Sequence, residues 1–303
     1  MDRAPHAEPP ELARETPYEL VFGPETFEET LFPSIRDEVE ERDVDAADPE
    51  RFVFLTSVGR LLRMIAGDVP SPAAGPDAEA VGRAADAAEA RQAADTAVRE
   101  HGHLLFQAYN FWTHGCQLFL LEPEALAAVL AVTGADDAEL RAPHPAGYVQ
   151  LPRHRVWARA AGPQPEPVDG VFWTMSSERE DGPARLDLLL VLGMRPDRAG
   201  FSVVPVGATL EADGRPGDWS TNARPDGDDF ANTLPGGELE ELVSLETQAE
   251  ALKLMALLFR YLERYPESLG TVTRNPPDAS ASSPHALPPS SLAYRRIRAR
   301  SPS

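Results

Sequence analysis

Cysteine and lysine are almost missing from these 303 residues: each occurs once, as Cys116 and Lys253. A single cysteine excludes an internal disulfide, and with it the zinc motifs that need paired thiolates. Lys253 has Glu250 three residues before it, so no Ser-x-x-Lys nucleophile exists. It also lacks the surrounding glycines of a phosphate-binding loop. "GFSVV" has glycine on only one side of its serine and is not a nucleophile elbow. Long apolar runs are absent too. "ALAAVLAV" and "LDLLLVLG" are core-sized, well short of the roughly 18 residues of a spanning helix. The opening "MDRAPHAEPPELARE" lacks the basic and apolar regions of a secretory signal, so a cytoplasmic protein is expected.

Positive charge is scarce. Lys and Arg number 28 against 49 Asp and Glu, a net charge of −21. Nucleic-acid backbones are held by cationic surface that displaces counterions, so nucleic acid is not an expected partner. The charge is unevenly placed. Residues 1–50 carry 16 acidic residues and 4 arginines, more than half of the excess. The last segment is the opposite, with Arg295, Arg296, Arg298 and Arg300 after a Pro/Ser-rich run.

Composition is otherwise that of a globular chain, 42% hydrophobic and 25% charged, long enough for a substantial core. Residues 1–23 read as an acidic, Pro-rich segment. Phe27, Leu31, Ile35 and Val39 recur every fourth residue and predict a helix interrupted or kinked at Pro33. Phe52, Leu55, Val58, Leu62 and Ile65 predict a second helix after Asp48 and Pro49. "VPSPAAGPD" reads as a linker, followed by an alanine-rich helical stretch whose apolar end is "HLLFQAYNFW". Gly115 stands where a left-handed helix stop belongs. "CQLFLLE" reads as a strand, with Cys116, Leu118 and Leu120 on one face, and "PEALAAVLAVTG" as a helix.

From about residue 145 the period becomes two. "GYVQLP", "RVWARA", "GVFWTMSS", "RLDLLLVLG" and "GFSVVPVGATL" are strand candidates joined by Pro/Gly turns. "RLDLLLVLG" is apolar on both faces except at Asp187, which marks a covered central strand. Residues 238–265 carry one broad apolar face and predict a long helix. The expected fold is α+β: an antiparallel sheet of about five or six strands packed against several helices. A single domain over 24–274 is expected, helical over 24–135 and strand-rich over 145–212, with 275–303 a linker and basic tail.

The chemistry-bearing residues do not converge in sequence. His103 and His114 lie about 16 Å apart along a helix at 1.5 Å per residue, too far for one ion with bonds of about 2 Å. His101 and His103 point roughly opposite ways. No metal and no cofactor is expected. His114 beside Cys116 has the residue types of a Cys–His nucleophile, which needs the imidazole within about 3 Å and a third residue to orient it. Buried thiols more often act as small apolar groups. His103, Gln107, Asn110 and His114 form a polar stripe, expected to face solvent, with a ligand-binding groove wall as the alternative. Asp187 needs a partner if buried; Arg185, Arg155 and Arg159 are candidates. Asp226, Asp228 and Asp229 lie in a loop that lacks the calcium-loop spacing.

The tail "SLAYRRIRARS" combines aromatic, aliphatic and Arg residues, the types enriched where proteins bind each other. It has the composition to add as a strand to a sheet edge, in cis or on a partner, or to meet the acidic N-terminal region. The expected function is therefore that of a non-catalytic accessory or subunit protein. It would bind a protein partner through an acidic surface and Leu292, Tyr294, Arg295, Arg296, Ile297 and Arg298. Contact at the periphery of a membrane complex is left open. The alternative is a hydrolase or small-ligand-binding protein with a site near His114, Cys116 and Asp187.

Overall fold

The structure is a computed structural model. It describes residues 11–23, 27–42, 49, 52, 101–132, 139–159, 164–177, 184–195, 201–211, 214–215, 243–245, 248–281 and 286–300. Most of the expected helix over 48–66, the linker after it, the alanine-rich run before residue 101 and the loop holding Asp226, Asp228 and Asp229 lie outside these residues.

Five α-helices and eight strands are described. Thr16 caps α1 (Pro17–Phe22) in a capping box with Glu19. A π-helical turn, Phe27–Leu31, leads without a break into α2 (Phe32–Arg42), and Pro33 stands where the one changes to the other. Helix α3 covers 101–113, α4 is Pro123–Leu130 and α5 is Gln248–Arg264. The strands are β1 (Leu118–Leu121), β2 (Ala146–Gln150), β3 (Val156–Ala158), β4 (Glu166–Ser177), β5 (Ala184–Leu192), β6 (Ser202–Thr209), β7 (Val243–Leu245) and β8 (Tyr294–Ile297).

The main sheet runs in the order β6-β5-β4-β2-β1-β8, with β3 and β7 attached through β4. The α+β expectation holds, but the sheet is mixed rather than antiparallel. β4, β5 and β6 form the expected meander. β1, however, runs parallel to both β2 and β8, and β3 parallel to β7. Helix α4 is the cause of the first parallel pair. A strand, a helix and a strand in sequence return the chain in the same direction, whereas a tight turn reverses it. A second correction concerns residues 238–265: Val243–Leu245 is a strand on β3, and the helix starts only at Gln248.

Both faces of the sheet are covered. Phe119, Val149, Val171, Trp173 and the even-numbered leucines 186–192 face α4 and α5. Leu118, Leu120, Tyr148, Phe172, Leu189 and Val191 face α1, α2 and α3, where Tyr18, Phe32, Phe106 and Phe111 fill the layer. Each such side chain, fully buried, contributes about 1.5–3 kcal/mol. β5 is interior, as its two apolar faces imply. Two cross-strand contacts hold β2 against β4: Trp173 lies over Gly147 and Tyr148 over Gly170, where an added Cβ would meet the indole at 2.4 Å and the phenol ring at 2.5 Å.

The tail is the largest departure from an extended linker. Tyr294–Ile297 pairs with β1 along its length, register Leu118↔Tyr294 to Leu121↔Ile297. Its outer edge is covered in turn: Thr273 and Tyr294 exchange backbone hydrogen bonds at 2.8 Å, and the Gly270 N–H donates to the Arg296 carbonyl. The N-terminal segment closes over it from the other side. The Ser290 N–H donates to the Ala13 carbonyl, and the Glu15 N–H to the Pro288 carbonyl.

Candidate functional site

The turn from α3 into β1 sets the site. Gly115 (φ 79°) and Cys116 (φ 51°) are both left-handed. The Gly115 N–H donates to the Trp112 carbonyl and the Cys116 N–H to the Phe111 carbonyl, a Schellman pair that satisfies the helix end. Gln117 fastens the turn, its side-chain amide donating to the His114 and Gly115 carbonyls. Cys116 thus sits ahead of the strand rather than in it. It is half-buried and packs on the same apolar layer as Leu118 and Leu120.

Beside this turn, at the N-terminal ends of the parallel pair β1 and β8, lies an open cavity of about 330 Å³. Residues 115–118 make one wall, 291–295 the second, and Val272 and Arg274 the third. The cysteine and part of the tail, two unrelated features in sequence, therefore meet here. Val272 is 57% exposed.

The cavity is cationic. Arg274 and Arg295 both line it, and among the described residues neither guanidinium forms a hydrogen bond or an ion pair. His144 stands on the same strand ends, its ring 5.9 Å from that of Phe119, the residue paired with Arg295. Burial first, then the neighbouring Arg295 and His114, push the His144 pKa down. Arg295 thus adds positive potential to this side of a chain of net charge −21.

Of the other candidates, His114 holds its Nδ1 2.9 Å from the Asn110 carbonyl and is not part of the cavity wall. Asp187 is remote from it, buried in β5. Its carboxylate accepts from Arg185 Nε at 2.8 and 3.0 Å, the ion pair the sequence suggested. The polar stripe does not face solvent as a unit, because Gln107 and Asn110 are buried. The Gln107 amide donates to the Asp187 carbonyl and accepts from the Thr174 hydroxyl, so it ties α3 to the sheet.

The tail residues divide. Leu292, Tyr294 and Arg295 line the cavity. Ile297 is buried in the core. Arg296 is buried and spends its guanidinium on Glu122, at 3.3 Å, and on the Glu11 carbonyl. Arg298 lies 3.5 Å from Glu122 with its side chain largely exposed. Sequence reasoning missed Arg274 and Val272. The alternation in "GTVTRN" between Pro266 and Pro276 was their signal, that of a short extended segment able to flank a strand.

Among the described residues no group of three or more His, Cys, Asp or Glu could hold a metal ion, and no helix is long and apolar enough to cross a membrane.

No family model and no curated protein matches the chain. Among solved structures, "Crystal structure of AcrVA2" aligns over 88% of this chain and 83% of that chain, at 12% identity and a TM-score of 0.34. A likeness that slight carries no argument.

Proposed function

We propose that this protein is a non-catalytic binding protein that receives an acidic segment of a partner protein in the cavity between residues 115–118, Val272–Arg274 and 291–295. One observation carries the reading: Arg274 and Arg295 line the same cavity, and neither guanidinium is paired with a described residue. Arginines on an acidic chain have many carboxylates to pair with, and two left open in one place suit an incoming one. A guanidinium binds a carboxylate through two parallel N–H···O bonds, which fixes orientation as well as charge. Exposed Val272 beside the cations adds the apolar contact typical of protein interfaces.

The tail keeps a part in this reading, with a narrower role. Arg296 and Ile297 hold β8 in place, and Arg295 presents the charge.

Native mass spectrometry of the protein purified from its own host tests the proposal. The expected result is a defined heteromeric complex that is lost in the Arg274→Glu/Arg295→Glu double variant. A lone monomer from the wild type, or a complex indifferent to the double variant, contradicts it.

A further inference from the structure

A second cavity, of about 270 Å³, lies where the two terminal segments meet. Its walls are mainly apolar: Leu12 and Ala13 from the N-terminal segment, Ala281, and Leu287 and Pro289 from the C-terminal one. Two arginines reach it, and they differ. Arg14 is buried and fully engaged. Its guanidinium donates to the Leu151 carbonyl at 2.9 Å and to the Asp169 carbonyl at 3.3 Å, and it pairs with Glu11 at 3.2 Å. Arg153 is exposed at the cavity, and its guanidinium makes no hydrogen bond or ion pair with a described residue. The nearby acids are already occupied. Glu11 is held by Arg14, and the Asp169 carboxylate accepts the Met194 N–H at 2.7 Å.

We infer that this cavity binds a small amphipathic carboxylate, with its anionic head on Arg153 and its apolar body along Leu12, Ala281, Leu287 and Pro289. Such a ligand fits on three grounds. The exposed cation is single, and the carboxylates that act on it, Asp169 and Glu11, each hold another partner, so a monoanion suits it. Most of the rest of the wall offers contact to carbon, with Ser280 and the Glu11 carboxylate that Arg14 holds as its other polar members, the arrangement of small-molecule sites with a few placed polar anchors. The volume equals that of roughly nine waters, at about 30 Å³ each, enough for a chain of about eight carbons. Arg14 plays no direct part, because its acceptors are all internal. It fixes the floor by joining residue 14 to β2 and β4. This site shares no residue with the cavity at Cys116 and does not depend on a protein partner.

Isothermal titration calorimetry of the full chain with octanoate tests the inference, with octanol as the uncharged control. Octanoate is expected to bind saturably at one site. Arg153→Ala should weaken it by about tenfold or more, the worth of a charge-assisted hydrogen-bond pair. Octanol should bind the wild type about that much more weakly. Ala281→Trp should abolish octanoate binding by filling the cavity. Thermal melts of each variant report whether it folds. The comparison of octanoate with octanol on the unaltered protein does not depend on any substitution. Equal binding of octanol and octanoate, undiminished binding by a folded Arg153→Ala variant, or no saturable binding overturns the inference.

Discussion

The Glu19 carboxylate accepts both the backbone N–H and the hydroxyl of Ser291, each at 2.7 Å, across 272 residues of chain. Its other oxygen accepts the Ser290 hydroxyl at 2.8 Å, and the N–H and hydroxyl of Thr16. One side chain therefore caps α1 and holds the strap that leads into β8. Glu19→Ala should lower stability by about 1–3 kcal/mol, the cost of leaving several donors without their charged acceptor. Urea denaturation measures it. A change within about 0.5 kcal/mol, the range of an ordinary surface substitution, would show that the clasp holds little.

A second prediction rests on the close approach of Gly147 to Trp173. An added Cβ would lie 2.4 Å from the indole and 3.0 Å from the Gln117 carbonyl. The indole has no room to retreat, since it packs on Phe119 and Phe259 with ring centroids 5.4 and 5.5 Å away. Gly147→Ala is expected to cost about 1–3 kcal/mol through overpacking, seen as a lowered denaturation midpoint. An unchanged midpoint would mean that β2 and β4 separate freely here.

Cys116 is read as a packed thiol at a left-handed position, not as a nucleophile. Cys116→Ala removes only the sulfur and keeps the same backbone demand, so stability should change by less than about 1 kcal/mol. Binding of an acidic partner should persist. Loss of a hydrolytic activity in this variant, with the fold intact, would favour the hydrolase alternative instead.

Asp169 gives a pH dependence with a definite sign. Burial raises its pKa, outweighing the lowering by Arg14, by the Met194 N–H, by Arg153 and by His154. The folded state then holds this proton to higher pH than the unfolded chain does. Its contribution to stability is present at low pH and is lost as pH rises from the ordinary aspartate range through the raised value. Asp169→Asn keeps an acceptor for the Met194 N–H but cannot ionise. Relative to the wild type, it should therefore gain stability as pH rises through that window. Denaturation of both proteins at pH values from 3 to 7 measures the difference. A variant that loses ground with rising pH contradicts the assignment.

Much of the architecture was legible in sequence because local rules decided it. Period-two alternation marked β2 to β6, and the two-sided apolar run around Asp187 marked β5 as interior. Gly115 gave the helix stop. The parallel pairing of β1 was harder to read, although strand, helix and strand stand in order from Cys116 to Leu151. Period shows that a strand exists and says nothing about its neighbour. Val243–Leu245 was hidden because its apolar residues extend the pattern of the helix that follows, and only pairing with β3 makes it a strand. Strand addition in cis was one of the options the sequence left for Tyr294–Ile297, and its charge kept that option from being chosen. Arg296 is tolerable in the sheet because Glu122 and the Glu11 carbonyl lie within reach, and both are distant in sequence. The candidate site was half visible. Cys116 and Arg295 were singled out separately, and their shared cavity exists only because β8 lies beside β1.

The most direct test of the account is whether the two open arginines act together on an acidic chain. Fluorescence anisotropy of a labelled hexaglutamate peptide, titrated with the full-length protein, reads this out. The account predicts saturable binding that weakens by about tenfold or more in Arg274→Ala/Arg295→Ala and is unchanged in Arg153→Ala. Equal affinity for the wild type and the double variant, or no binding by either, would contradict it.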